Sequence, residues 1–268
     1  MKISVVITTY NRISVVGSAI RSVLSQPGFG FPHEIVVVDD ASSDETMPML
    51  ARDFGSEIGM GALRIIENEQ NLGVTGSKNA GFEAALGEWV IFLDSDDTLN
   101  ESAWGSMLSV LEAANSHPAV FFRCVDQDGN FVGHHFETPL LLNLETYIEH
   151  TSYGEALTAI NKNMVSSGPY VAALRGYEGL GCCRIIERYG PAILSTVVAR
   201  CYDQSGSDRL SVSRGLLRRL PLLARGHWML VREFGSHMRP VKRLGYALKA
   251  SVYFVVGGIY GLIKGKSS

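Results

Sequence analysis

The chain has 268 residues, 46% of them hydrophobic, and a formal net charge of -3. That is enough apolar material for one sizeable core, and it leaves no broad basic footprint for nucleic acid. Four cysteines, Cys124, Cys182, Cys183 and Cys201, lack metal-ligand spacing and fit a reduced, cytoplasmic setting.

The start, "MKISVVITTYN", reads as a strand over residues 3 to 7 rather than a signal peptide, because its apolar run is too short. Ile13, Val16, Ile20, Val23 and Leu24 recur at helical spacing, with Asn11 as the expected cap. "PGFGFP" at 27 to 32 is a turn leading to a second strand, "IVVV" at 35 to 38. Ser42 and Glu45 form a capping-box pattern ahead of Met47, Leu50, Ala51 and Phe54, with Asp44 in a local role at the helix start. A weaker strand follows at 63 to 66 and a stronger one, "WVIFL", at 89 to 93. Thr98 and Glu101 repeat the capping box before Met107, Leu108 and Leu111. Continuous apolar strands alternating with helices predict an α/β fold with a mostly parallel central sheet covered on both faces.

Beyond residue 115 the rhythm is irregular. A strand is expected at 119 to 126 with its turn at 126 to 130, and short helical pieces with loops over 140 to 190. The organisation read from this is an α/β portion over 1–115, a site-completing portion of the same domain over 116–235, and a basic, apolar tail over 236–268. The tail's apolar core, 250 to 263, falls short of the roughly 20 residues a spanning helix needs. Lys242, Arg243 and Lys249 precede it, and Lys264 and Lys266 follow. The tail therefore reads as a helix lying in a membrane surface, or as one packed on the domain or on a second subunit of a homodimer.

Three polar clusters issue from strand ends: "TTYNR" at 8 to 12, "DDASSDET" at 39 to 46 and "DSDD" at 94 to 97. Open α/β sheets bind ligands at that edge. On a strand continuation Asp94 and Asp96 would share a face, and two carboxylates that close need a cation between them. Oxygen ligands with little histidine suit Mg²⁺ or Mn²⁺, which would hold substrate phosphates. A carboxylate such as Asp39 or Asp40 can accept hydrogen bonds from a base or a ribose, and Arg12 and Lys78 are the cations available for phosphate. No P-loop pattern and no GxGxxG after the first strand is present, so neither an ATPase of that type nor the usual NAD or FAD site is indicated.

Together, "VVITTYNR", "IVVVDDASSDET" and "NLGVTGSKNAGFEAALGEWVIFLDSDD", in this order and spacing, resemble family 2 glycosyltransferases, inverting enzymes of the GT-A fold, here of the bacterial surface-polysaccharide type. The resemblance covers residues 1 to 115 closely and the rest loosely. It implies a nucleotide-diphosphate sugar donor, most commonly UDP-linked, and a saccharide or polyprenyl-linked saccharide acceptor. The protein would then be cytoplasmic, peripheral on the inner face of the cytoplasmic membrane. Thr8, Tyr10 and Arg12 would line the nucleotide pocket, and Asp39 would face the base. Asp94 and Asp96, flanking Ser95, match the family's metal-binding acid pair. Lys78 stands where relatives commonly carry arginine, which keeps the charge without the bidentate fork. Relatives place a catalytic base in a Glu-Asp pair that this chain lacks; aligning the following helix on Arg184 puts Glu178 at that position. Arg209 lies in a later segment and would reach the diphosphate. Two other readings use the same residues: a sugar-nucleotide-binding protein without activity, and a sugar nucleotidyltransferase, which would want a GxGxR-like loop after the first strand.

Overall fold

The computed structural model describes residues 1–149, 154–202 and 213–265. Strand β1 (Ile3–Thr9) is buried along its whole length, and its side chains alternate between two cores. Ile3, Val5 and Ile7 face a layer made by helices α1 (Val16–Leu24), α2 (Thr46–Asp53) and α5 (Ala103–Ala113). Val6 faces the opposite layer, where α4 (Val74–Ala84), α7 (Gly179–Tyr189) and α8 (Ser213–Phe234) pack. Strands β2 (Glu34–Asp39) and β4 (Trp89–Asp94) repeat the alternation. Period-two alternation places each apolar residue of these strands in one core or the other, so they read as apolar runs.

The sheet runs β3 (Leu63–Glu67), β2, β1, β4, β8 (Ala156–Asn161), β6 (Ala119–Val125), β9 (Ala192–Cys201), β5 (Thr98–Leu99). A short β7 (Leu140–Leu142) also pairs with β9. The first four strands are parallel. Past β4 the sheet is mixed: β8 is antiparallel to β4 and to β6, β9 is parallel to β6, and β5 and β7 are antiparallel to β9. The expectation of a mostly parallel sheet is therefore corrected to a mixed one. The strands responsible, "ALTAIN" and "AILSTVVARC", are diluted by Ala, Ser, Thr and Asn, so they lack the apolar density that marked β1, β2 and β4.

Three expected helix starts are also corrected. Asn11 does not cap α1; it sits at φ 52, and its Oδ1 accepts from the amides of Ser43 (2.8 Å) and Asp44 (3.3 Å). It stitches the loop after β1 to the loop after β2. Ser42 does not cap α2; its amide and hydroxyl both donate to Asp39. Asp44 takes the local role, accepting from the Thr46 amide at 3.0 Å. Thr98 belongs to β5, and α5 begins only at Ala103.

The chain closes with α8 and α9 (Pro240–Gly265), a helical hairpin in which Gly257 passes Pro221 so closely that a Cβ there would come within 2.8 Å of the ring. Among the described residues, no helix is long and apolar enough to cross a membrane.

Gly81 sets the approach of α4 to the sheet. A Cβ at that position would lie 2.4 Å from Val6 Cγ1 and 3.0 Å from Val38 Cγ2. Gly81→Val is expected to lower stability by roughly 1–3 kcal/mol or more through overpacking. The check is urea denaturation: a lower midpoint at unchanged slope is expected, and an unchanged midpoint would show that the helix can ride outward freely.

Candidate active site

Strands β2 and β3 stack on one side of β1, while β4 lies on the other. The crossovers diverge at that point, which is where open α/β sheets leave a crevice at the strands' carboxyl ends. The registers Thr9↔Asp39 and Thr8↔Asp94 bring the three strand ends to one level. A cleft of about 550 Å³ opens there, bordered by Thr8, Tyr10 and Arg12 at the end of β1, Asp40 just past β2, and Asp94 to Asp97 at the end of β4.

The acids at the tip of β4 leave the strand in a turn. The chain turns at Ser95 and Asp96, with the Asp97 amide returning to the Asp94 carbonyl at 3.1 Å. The expectation of a strand continuation is thus corrected, and the carboxylates meet three cations of the protein, Lys78, Arg200 and Arg12. Asp94 Oδ1 accepts from the Lys78 ammonium at 2.8 Å, and its Oδ2 lies 3.4 Å from Arg200 Nη1. Arg200 also reaches Asp97 at 3.0 Å and Glu155 at 3.5 Å. Arg12 lies 3.7 Å from Asp96. Lys78 and Arg200 are both buried. Burial by itself would raise the Asp94 carboxyl, but Lys78, then Arg200 and Arg12, outweigh it and hold it below the usual aspartate range. Burial would likewise lower Lys78; Asp94 and Glu178 outweigh it and hold the ammonium above the usual lysine range.

The second acid on Lys78 is Glu178, whose Oε1 lies 2.7 Å from Nζ. Glu178 stands immediately before α7 and borders the cleft. Its loop is fastened to α4. Asn79 exchanges two hydrogen bonds with the backbone of Tyr170 (2.8 and 2.9 Å), and Thr75 Oγ1 accepts from the Gly176 amide at 3.2 Å. Arg175, at φ 48, reaches back to the Asn71 carbonyl at 3.0 Å. On the facing side, Asp40 holds the loop before α4 by accepting from the amides of Leu72 (2.7 Å) and Gly73 (2.8 Å). Gly73 adopts φ 76, and a Cβ there would sit 3.0 Å from the Arg175 side chain.

Of the residues singled out in the sequence, Thr8, Tyr10, Arg12, Asp94, Ser95, Asp96 and Glu178 border the one cleft. Lys78 lies behind its wall, bonded to two carboxylates rather than facing open space. Asp39 is buried with both oxygens on Ser42, and Asp40 takes the position at the cleft. Arg209 is outside the described residues. Arg184, the residue on which the helix is aligned, binds Glu233 of α8 at 2.7 and 2.8 Å. Among the described residues, no group of three or more His, Cys, Asp or Glu is placed to hold a metal ion. Sequence reasoning missed Arg200, Glu155, Arg175 and Arg219. The signal for Arg200 was an arginine inside the apolar run "AILSTVVARC", which a buried strand tolerates only with acids nearby.

The signs of these shifts define a stability window. Asp94, depressed, contributes above the ordinary aspartate value, and that contribution is lost as pH falls through its own lower one. Lys78, raised, contributes below the ordinary lysine value and loses that contribution as pH rises beyond it. The pair is therefore fully present from about pH 5 to 9. Asp94→Asn is expected to be less stable than wild type by about 1–3 kcal/mol in that window, less than for a fully buried pair because Asp94 keeps 36% of its side chain exposed. The gap should close as acid protonates wild-type Asp94; thermal unfolding across pH measures it, and a gap independent of pH down to strong acid would refute the assignment.

Residues 4–169 match the family model Glycosyl transferase family 2. The succinoglycan biosynthesis protein ExoO of Rhizobium meliloti (strain 1021) is 36% identical over 118 residues, covering 44% of this chain and 32% of its own length. The GalNAc(5)-diNAcBac-PP-undecaprenol beta-1,3-glucosyltransferase of Campylobacter jejuni is 28% identical over 183 residues, covering 66% of this chain and 57% of its own length. The chain thus spans between 32% and 57% of these two curated relatives. Among solved structures, S. aureus TarS 1-349 in complex with UDP-GlcNAc superposes with a TM-score of 0.64 at 18% identity, covering 86% of this chain and 67% of that one. The mannosyltransferase PcManGT from Pyrobaculum calidifontis, in complex with GDP-Man and Mn²⁺, superposes with a TM-score of 0.66 at 17% identity, covering 99% and 75%. These superpositions speak to the fold, and the family match covers more than half of the sequence: the chain belongs to glycosyl transferase family 2 and has a GT-A-like fold with a mixed sheet.

Proposed function

We propose that this chain moves a sugar from a nucleoside diphosphate donor, UDP-linked in the favoured case, to a hydroxyl of a saccharide or lipid-linked saccharide, with inversion at the anomeric carbon. The observation that carries the reading is the bridge Asp94–Lys78–Glu178. One ammonium joins the strand tip assigned to the donor to a carboxylate that borders both the cleft and a second cavity of about 420 Å³. That second cavity has room for an acceptor, and its wall includes Tyr147, Tyr177, Tyr246 and His227.

In this reading Thr8, Tyr10 and Asp40 border the nucleotide, and Arg12, Arg175 and Arg219 offer guanidinium groups to the diphosphate, with Arg209 as a further candidate. Asp39 acts from behind, by fixing Ser42. Glu178 takes the proton from the acceptor hydroxyl. The acceptor oxygen bonds to the anomeric carbon as the bond to the diphosphate breaks, and the diphosphate leaves with the electron pair. Lys78 fixes Oε1 of Glu178, so the carboxylate is oriented before the acceptor arrives.

The lining residues fit a divalent ion in one arrangement. Asp94 already has both oxygens on cations, whereas Arg12 stands off Asp96 at an ion-pair distance longer than a hydrogen bond. Mg²⁺ and Mn²⁺ sites of this kind use one or two carboxylates, with the substrate's phosphates completing the set. Asp96 is therefore the residue that would hold the ion, and Asp94 would stand beside it. Once bound, such an ion neutralises charge on the departing diphosphate.

Sugar-nucleotide turnover by the purified full chain tests the reading. Glu178→Gln is expected to lower kcat by roughly 10²- to 10⁴-fold with donor binding retained. Full turnover in that variant would remove Glu178 as the base, and donor binding by wild type without any transfer to a saccharide acceptor would leave only a binding protein. Asp96→Asn is expected to abolish the Mn²⁺-dependent part of donor binding in calorimetry. Equal Mn²⁺ dependence in wild type and variant would move the ion elsewhere.

A further inference from the structure

Helix α9 turns a long apolar face away from the protein. Val241, Leu244, Leu248, Val252, Val255 and Ile259 are spaced three or four residues apart and all are exposed, Val241 at 84% and Leu244 at 70%. Such a stripe is the face a helix normally buries, yet the inward side of α9 is the one that carries buried Ala250 and packs Gly257 onto Pro221. Phe254 adds a further exposed ring at 72%. On α8, Trp228 is 58% exposed and lies between exposed Arg225 and Arg232, three and four residues away. An apolar surface this continuous marks a contact site.

Charge decides what makes the contact. The two helices carry nine Lys and Arg but a single acid, Glu233, in a chain whose net charge is -3. Glu233 is already bound to Arg184. A second copy of the chain would cover the stripe but set cations against cations, which opposes association. An anionic bilayer supplies an apolar interior and acidic headgroups at once, and an exposed tryptophan flanked by arginines suits the boundary between them.

We propose that the α8–α9 hairpin docks this protein on an anionic membrane surface. α9 lies in the interface with Val252, Val255 and Ile259 toward the acyl chains, and Arg225, Arg232, Arg243 and Lys249 meet headgroup phosphates. The hairpin is tied to the cleft by Tyr177 Oη and His227 Nδ1 at 2.8 Å, and by Arg219 donating to the Gly176 carbonyl at 3.4 Å. Arg239 and Lys242 bind Glu149 of α6 (Leu144–Glu149) from the other side. Docking therefore fixes how the cleft is presented to the bilayer. His227 and Leu230 of α8 and Tyr246 of α9 also wall the second cavity, so an acceptor carried in the membrane would enter beside the docking face.

Co-sedimentation of the full chain with vesicles tests this without reference to catalysis. Binding is expected to vesicles of phosphatidylcholine mixed with phosphatidylglycerol and to fall sharply on phosphatidylcholine alone, with the difference weakening as salt is raised. The double variant Val252→Asp with Val255→Asp should lose binding by at least about tenfold. Arg243→Glu with Lys249→Glu should lose it by about fivefold or more per residue. Both pairs are solvent-facing, and an unchanged circular dichroism spectrum separates lost binding from lost fold. Equal binding to both vesicle types, no binding to either, or Asp variants that bind like wild type would overturn the proposal. So would a soluble dimer that only the Asp variants dissolve and that does not bind vesicles.

Discussion

The arrangement on which the rest depends is a set of carboxylates at the end of a buried strand, held by two buried cations. Asp94, Asp97, Glu155 and Glu178 crowd one corner of the cleft, and Lys78 and Arg200 each reach more than one of them. Neither cation would be stable in the interior alone, and neither would the acids be stable so close together. Each half makes the other tolerable. The result is a site whose geometry is set before any ligand arrives, and whose carboxylates are offset in part by the protein's own cations.

That balance explains why helix α4 is built as it is. Gly81 lets it lie close against β1 and β2, so Lys78 can reach under the tip of β4. Thr75 and Asn79, on the same helix, fasten the loop that carries Glu178. Asp40 clamps the turn that starts the helix. A single helix thus fixes the strand tip, the loop before α7 and the ammonium between them. From the loop the chain of contacts continues through Tyr177 and Arg219 into the α8–α9 hairpin. The surface proposed to meet a membrane and the corner where chemistry is proposed are therefore linked by a continuous chain of contacts.

How much of this the sequence disclosed follows from which contacts are local. β1, β2 and β4 were legible because strands covered on both faces must be apolar throughout, and their polar tips stood out against that background. The candidate residues that border the cleft mostly come from those tips. The second half resisted reading because β8 and β9 are diluted by small and polar residues, and β9 draws its identity from partners far away in sequence: Leu99, Cys124 and Leu141. The misread caps have the same origin. Ser42 and Thr98 fit a local helix-start pattern, but Asp39 claims the first and the pairing of Thr98 with Cys201 claims the second. Arg200 was overlooked for the complementary reason: its acids, Asp94, Asp97 and Glu155, are brought to it only by the sheet.

The role of Lys78 separates a site organised by the protein from one organised by its ligand. The most direct measurement is a crystal structure of the full chain with a bound sugar nucleotide. Lys78 Nζ is expected to remain within hydrogen-bond distance of both Asp94 and Glu178, with the diphosphate held by other groups. Finding Nζ on the diphosphate, with Glu178 released, would contradict that arrangement.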